Sequence, residues 1–481
     1  MRTRRLGISI ALAALIAAGH SSAQSAARTE PARPDIDRIF ADWDRPGSPG
    51  CALAIYDGGH IAYERGYGMA DLEHDVPITP ESVFYVGSVS KQFTAMTAAI
   101  AMEQGKLAID DPIRKYLPEL PDYTSSITIR HLLHHTSGLR DYNTLLSIAG
   151  RRGDEAFDNL TVLRITARQK KLNFQPGDEY LYSNTGYTLL ALIVERATGT
   201  PFAQFAAKNL FEPLGMTVTH YHTDESRLVK WRALAYEGRD TDFRLDTPSN
   251  ERAGAGGLFT SVRDLLRWDE DFYTFQVGGR PVIERVQTRG KLNNGTTLTY
   301  AWGLEIGTYR GLRIVEHAGS LGGYRAHLMR FPDQHVSVAA LCNLGSINPS
   351  ALARRVADAS LGSRFTAPAE SSRGPSSAPP LRPSAPDSTS QHDGDQQLSD
   401  YAGRYYSDEA DATFIVGIKD GRLRVRRDNG EEPVALEPID GGTFRFRGMT
   451  VRFERGPHGP PAALLVDAGR VRDIRFVRGG G

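Results

Sequence analysis

Apolar and polar residues change their period along this chain, and the changes mark out its elements. Residues 51–56 and 61–67 are short apolar-rich runs on either side of Asp57-Gly58-Gly59, a pattern that predicts two strands joined by a turn. Residues 312–316, 324–331 and 336–341 predict three more strands. Between these groups, residues 91–104 and 188–198 carry the spacing of buried helices. Strands at both ends of a region with helices between them predict one antiparallel sheet flanked by helices.

The pattern then changes twice. Residues 366–397 contain Pro368, Pro375, Pro379, Pro380, Pro383 and Pro386 among serines, alanines and charges, which predicts a disordered linker. Beyond it, residues 413–418, 423–427, 443–446, 450–453, 463–466 and 474–477 are short strand-like runs. Asp420-Gly421 and Asn429-Gly430 stand between them as hairpin signals. A small antiparallel barrel or sandwich is expected at 398–481, after a larger domain at 34–363. No repeated period is present.

Composition narrows the class. Of 481 residues, 40% are hydrophobic and 24% charged, which suits packed globular domains. Lys plus Arg and Asp plus Glu both total 57, so the formal charge is zero and a nucleic-acid partner is not expected. The N-terminus has Arg2, Arg4 and Arg5, an apolar run over 6–19, and Ser21-Ser22-Ala23. This predicts a signal peptide over 1–23 and a periplasmic or secreted protein. The run is shorter than the ~20 residues that span a bilayer, so no stable membrane anchor is expected after cleavage. Cys51 and Cys342 are the only cysteines. Both lie in strand-like runs, and two buried thiols are expected in preference to a disulfide.

Three short motifs carry chemistry. In Gly87-Ser88-Val89-Ser90-Lys91, Ser88 and Lys91 fall three apart at the head of a helix, so the amine reaches the hydroxyl from one turn away. Serine needs an adjacent base, and a desolvated lysine serves as one. Tyr182-Ser183-Asn184 offers a phenol that shares a proton with the lysine and an amide that binds a substrate amide. His317-Ala318-Gly319-Ser320 ends a strand-like run, where glycine lets substrate approach the backbone. The N–H of Ser320 there would join that of Ser88 as an oxyanion hole. His131, His134 and His135 are close in sequence, but no glutamate completes a zinc motif, and neither metal nor cofactor is expected.

Taken in order, the three motifs resemble those of the serine β-lactamase and penicillin-binding protein superfamily, Ser-x-x-Lys, Tyr-x-Asn and Lys/His-x-Gly. The likeness extends over residues 105–107, 110–112, 116–118, 127–139, 182–200, 211–216 and 256–258, and covers about 35–343. It is strongest to the branch holding class C β-lactamases, D-Ala-D-Ala carboxypeptidases, D-aminopeptidases and β-lactamase-like esterases. The resemblance implies an α/β (α+β) fold with an all-helical subdomain beside the antiparallel sheet. It implies Ser88 as the acylated nucleophile, Lys91 as the group that deprotonates it and Tyr182 as proton carrier. Asn184, His317 and Gly319 would bind substrate, a peptide or small molecule, and the backbones of Ser88 and Ser320 would hold the oxyanion. One departure bears on activity: His317 stands where β-lactamases of this branch usually carry lysine, and histidine there resembles the peptidases. D-amino-acid peptides are therefore the expected substrates, with β-lactams and esters as alternatives and a non-catalytic cell-wall-binding relative as a further one. The C-terminal β-domain is expected to shape access to the site rather than to catalyse.

Overall fold

The computed structural model describes residues 33–151, 157–249, 251–368, 398–440, 442–455 and 459–479. The expected signal peptide and nearly all of the expected linker lie outside these residues. The central sheet has six strands: β1 (Cys51–Asp57), β2 (His60–Tyr67), β3 (Glu305–Tyr309), β4 (Leu312–Leu321), β5 (Tyr324–Phe331) and β6 (Val336–Cys342). Their order is β3-β4-β5-β6-β1-β2, antiparallel throughout. The two ends of the region therefore meet at the β6–β1 pair, as the pattern predicts.

Both faces of this sheet are covered, which explains why its strands read as continuous apolar runs. Leu53, Ile55, Met329, Val338 and Ala340 point to one cluster, while Ala52, Ala54, Leu328, Ala339 and Leu341 point to the other. Helices α1 (Pro34–Phe40) and α7 (Pro349–Leu361) cover the first face. On the other face lie α2 (Ser90–Glu103) and α6 (Val262–Thr274). Helix α2 is buried on nearly every side, and its run of alanines lets α5 (Asn184–Thr198) pack closely against it.

Cys51 and Cys342 are register partners on β1 and β6, with Cα atoms 4.0 Å apart, and they form a disulfide. The expectation of two free thiols is corrected. The cause is topological: the chain returns the second cysteine, 291 positions on, to the strand beside the first.

The C-terminal region is a nearly closed antiparallel barrel of nine strands. They are β7 (Gly403–Ser407), β8 (Ala412–Lys419), β9 (Arg422–Arg427), β10 (Val434–Ala435), β11 (Glu437–Asp440), β12 (Thr443–Phe446), β13 (Met449–Arg455), β14 (Pro461–Ala468) and β15 (Val471–Arg478). Their order is β10-β9-β8-β7-β15-β14-β13-β12-β11. Asp420-Gly421 closes β8 onto β9 as a two-residue turn with both φ positive, matching its sequence signal. Asn429-Gly430 does not: it sits in the longer connection between β9 and β10. The equivalent tight turn is Arg447-Gly448, between the facing residues Phe446 and Met449.

The barrel shares its core with the helical layer. Helices α3 (Tyr142–Ile148) and α4 (Asn159–Ala167) are capped by Asp141 and Asp158, whose side chains accept from Thr144 and Thr161 N–H. Tyr142, Leu145, Leu146 and Ile148 of α3, with Val162 and Ile165 of α4, join one buried cluster with Phe414, Phe446, Leu464 and Phe476 of the barrel. Arg427 of β9 donates to the carbonyls of Ser147 and Ile148 at the end of α3, both at 2.8 Å. Two groups of strands and helices distant in sequence thus bury a single apolar seam, each large side chain contributing roughly 1.5–3 kcal/mol.

Candidate active site

Ser88 lies in a 3₁₀ turn, Gly87–Val89, that runs directly into α2. The turn is pressed against the end of β4. Gly87 has φ of 53°, and a Cβ there would lie 2.4 Å from the backbone N of Ser320. Gly319 faces it, and a Cβ on Gly319 would lie 2.0 Å from the carbonyl O of Val86 and 2.8 Å from the N of Ser88. Two glycines therefore permit the backbones of Ser88 and Ser320 to approach one another.

Lys91 is wholly buried one turn along. Its Nζ lies 3.0 Å from Ser88 Oγ, 2.9 Å from Asn184 Oδ1 and 2.8 Å from the carbonyl O of Ala255. The last two partners are acceptors only. They take two of its N–H bonds, which in the neutral amine leaves the lone pair for the Ser88 hydroxyl proton. Burial holds the amine far below the usual lysine range, and the charge of Arg470 adds to that, while Asp141 opposes it.

Asn184 opens α5, with its backbone N–H on Asp141 Oδ2 at 2.7 Å. Tyr182, two residues earlier, has its ring 4.8 Å from Lys91 Nζ. Its hydroxyl is buried without a hydrogen-bond partner of good geometry among the described residues. Burial lifts this phenol well above the ordinary tyrosine range, with the Ser88 hydroxyl and Arg470 acting in the opposite direction. A lysine held below its ordinary range and a tyrosine held above its own thus flank one serine.

The third motif is placed less simply. His317 is buried, its Nδ1 donating to the carbonyl of Ala318 at 2.6 Å and its Nε2 accepting from the Tyr300 hydroxyl at 3.0 Å. A carbonyl accepts only, which fixes this tautomer. Burial, reinforced by Lys91, lowers the imidazole to about 3. A partly charged histidine is the ordinary expectation from its solution range, and desolvation removes that charge here.

The sequence profile of the beta-lactamase family matches residues 36–363, more than half the chain. The chain belongs to the beta-lactamase family. Penicillin-binding protein 4* of Bacillus subtilis (strain 168) is 30% identical over 309 residues, covering 61% of this chain and 68% of that protein. The D-aminopeptidase of Gluconobacter oxydans (strain 621H) is 28% identical over 299 residues, covering 62% of this chain. The match spans only 56% of that enzyme's length. Among solved structures, the octameric penicillin-binding protein homologue from Pyrococcus abyssi superposes with a TM-score of 0.59 at 22% identity, over 92% of this chain and 98% of that one. The D-amino acid amidase from Ochrobactrum anthropi SV3 gives 0.58 at 22% identity, over 69% and 99%. The family fold, and for the first structure nearly the whole chain, is shared.

Within that family fold, several residues reach the site that its three motifs do not name. The His135 ring lies tilted, 4.2 Å from the Tyr182 ring, and accepts from the Ser183 N–H, and the Tyr300 ring lies 4.6 Å from His135. His131 and His134 turn instead to Thr128 and to the carbonyl of Arg130. Tyr300 had no signal beyond the Thr299-Tyr300-Ala301-Trp302-Gly303 run of aromatic and small residues. Arg470 comes from the barrel: its guanidinium carbon lies 4.6 Å above the centre of the Tyr182 ring. No motif marks it.

Proposed function

We propose that this chain is an exported serine hydrolase that forms an acyl-enzyme on Ser88 and cleaves amide bonds of D-amino-acid peptides. The observation that carries the mechanism is the set of three contacts at Lys91 Nζ. In acylation, Ser88 Oγ bonds to the substrate carbonyl carbon while its proton passes to Lys91. The backbone amides of Ser88 and Ser320 take the oxyanion. The C–N bond then breaks, and Tyr182 relays the proton from Lys91 to the departing amine. Water deprotonated along the same route attacks the ester, releasing the acid and restoring the Ser88 hydroxyl. Asn184 keeps Oδ1 on Lys91 and offers Nδ2 to the substrate carbonyl, and Gly319 gives the substrate room along β4. His317, being neutral, positions Tyr300 rather than binding an anion by charge.

The D-aminopeptidases at 28% identity support substrates with D-configured residues. Export is supported by the Cys51–Cys342 disulfide, since such bonds persist in oxidising compartments, together with the N-terminal sequence pattern. The test is turnover of D-alanine p-nitroanilide and its L-enantiomer by wild type and Ser88→Ala. Release from the D form, reduced by about 10³-fold or more in the variant, is expected. Preference for the L form, or activity that survives Ser88→Ala, contradicts the proposal.

A further inference from the structure

The β14–β15 hairpin of the barrel turns at Gly469-Arg470, between the facing residues Ala468 and Val471. The catalytic region grips this turn by its backbone. Asn173 Nδ2 donates to the carbonyl O of Arg470 at 3.0 Å, and Asn173 Oδ1 accepts from the Arg472 N–H at 2.9 Å. Asn173 itself is placed by its N–H on the carbonyl of Gly138, in the loop leading to Asp141. One asparagine thus clamps the backbone on either side of Val471, directly after the arginine. The next cation on the hairpin, Arg472, is neutralised by Glu179 through two contacts at 3.1 and 3.0 Å. Arg470 has no carboxylate partner among the described residues and is half-buried over Tyr182.

The acids whose fields reach the tyrosine and lysine are Glu305 and Asp141. Asp141 is occupied by the N–H groups of Asn184 and Thr144. Glu305 sits in β3, its carboxyl lifted by burial and by Glu316. A guanidinium held over the Tyr182 ring, its charge reaching the buried Lys91 amine, makes this end of the site attractive to an anion. Arginine's fork suits a carboxylate.

Resting on the hydrolase reading above, we propose that Arg470 binds the free C-terminal carboxylate of the substrate, so that the preferred substrates are short D-peptides with an unblocked C-terminus. The barrel then supplies a specificity-determining residue to a site whose nucleophile lies almost 400 residues earlier in the chain. The assignment goes beyond acyl transfer itself, because Lys91, Tyr182 and Ser88 work on any amide brought to them.

The test compares cleavage of the internal bond of D-Ala-D-Ala and of D-Ala-D-Ala amide by the full chain, read as the ratio of kcat/KM values. Any effect of Arg470 on Lys91 is common to both substrates and cancels in the ratio. Wild type should prefer the acid by about tenfold or more, mostly through KM. Arg470→Gln should bring the ratio near one, and Arg470→Lys should keep an intermediate preference. A wild type indifferent to the C-terminal charge, or a ratio unchanged in Arg470→Gln, overturns the carboxylate site while leaving the hydrolase standing. Cleavage of neither peptide overturns the hydrolase reading, and the carboxylate site falls with it. The wild-type ratio is decisive even if a variant folds poorly.

Discussion

Arg140, in the catalytic region, and Glu409, in the barrel, form a buried ion pair at 2.5 Å. The same guanidinium donates to the carbonyls of Arg472 and Asp473 at 2.7 and 3.1 Å, and Glu409 also accepts from the Lys170 N–H at 2.8 Å. Asp141, the neighbour of Arg140, holds the N–H of Asn184. Removing one partner of such a pair leaves a buried charge uncompensated. Arg140→Ala should destabilise the protein by roughly 3–5 kcal/mol in denaturant melts, and Glu409→Gln should destabilise it in the same direction.

The same seam bears on truncation. With a barrel treated as a detachable module, deletion after Gly362 would change substrate preference and spare acylation. The shared cluster of Tyr142, Leu145, Leu146 and Ile148 with the barrel gives a different expectation. The truncated chain should expose that cluster and lose cooperative unfolding and acylation together. A truncated domain that melts sharply and is still acylated would show that α3 and α4 hold without their partner.

Arg470 acts on Lys91 as well as on substrate. Its charge lowers the lysine, so Arg470→Leu should raise it and move the acid limb of kcat/KM to higher pH. A neutral ester substrate isolates this effect from carboxylate binding. An unmoved limb would mean that Lys91 is not the base whose titration the profile reports.

Asp271 provides a test of stability away from the site. It is buried on α6, accepts from the Val277 N–H at 2.8 Å, and desolvation pushes it up to about 6. A raised carboxyl favours the folded state in its protonated form. That stabilisation is present below about pH 4 and is lost as pH rises through 6. Asp271→Asn should therefore melt higher than wild type at pH 7.5, with the advantage shrinking toward pH 4.5. An advantage that does not depend on pH would contradict the assignment.

Much of the site was legible because its parts are local. Ser88 and Lys91 are joined by helix geometry, and Tyr182 and Asn184 by the start of one helix. The strands at both ends of the catalytic region declared themselves by apolar runs, and the barrel by short runs and Asp420-Gly421. What was not legible depends on distant residues meeting. The disulfide needed the register of β1 against β6, the charge state of His317 needed the burial around Tyr300, and Arg470 needed a hairpin brought against Tyr182. The apolar face of α3 is visible in the sequence, but nothing there says that a barrel more than 250 residues away covers it.

The close facing of Gly87 and Gly319 predicts that either one changed to alanine displaces Ser88 from the N–H of Ser320. Each variant should lose about 10²-fold or more in kcat while still binding product, read by steady-state kinetics and product inhibition. Retained kcat would show that the oxyanion is held elsewhere.

The covalent step is tested most directly by intact mass spectrometry of the protein quenched in acid during turnover of a D-amino-acid ester. One acyl group per chain, mapped by peptide sequencing to Ser88 and absent from Ser88→Ala, is the expected result. An acyl group on another residue, or one that persists in Ser88→Ala, would contradict Ser88 as the nucleophile.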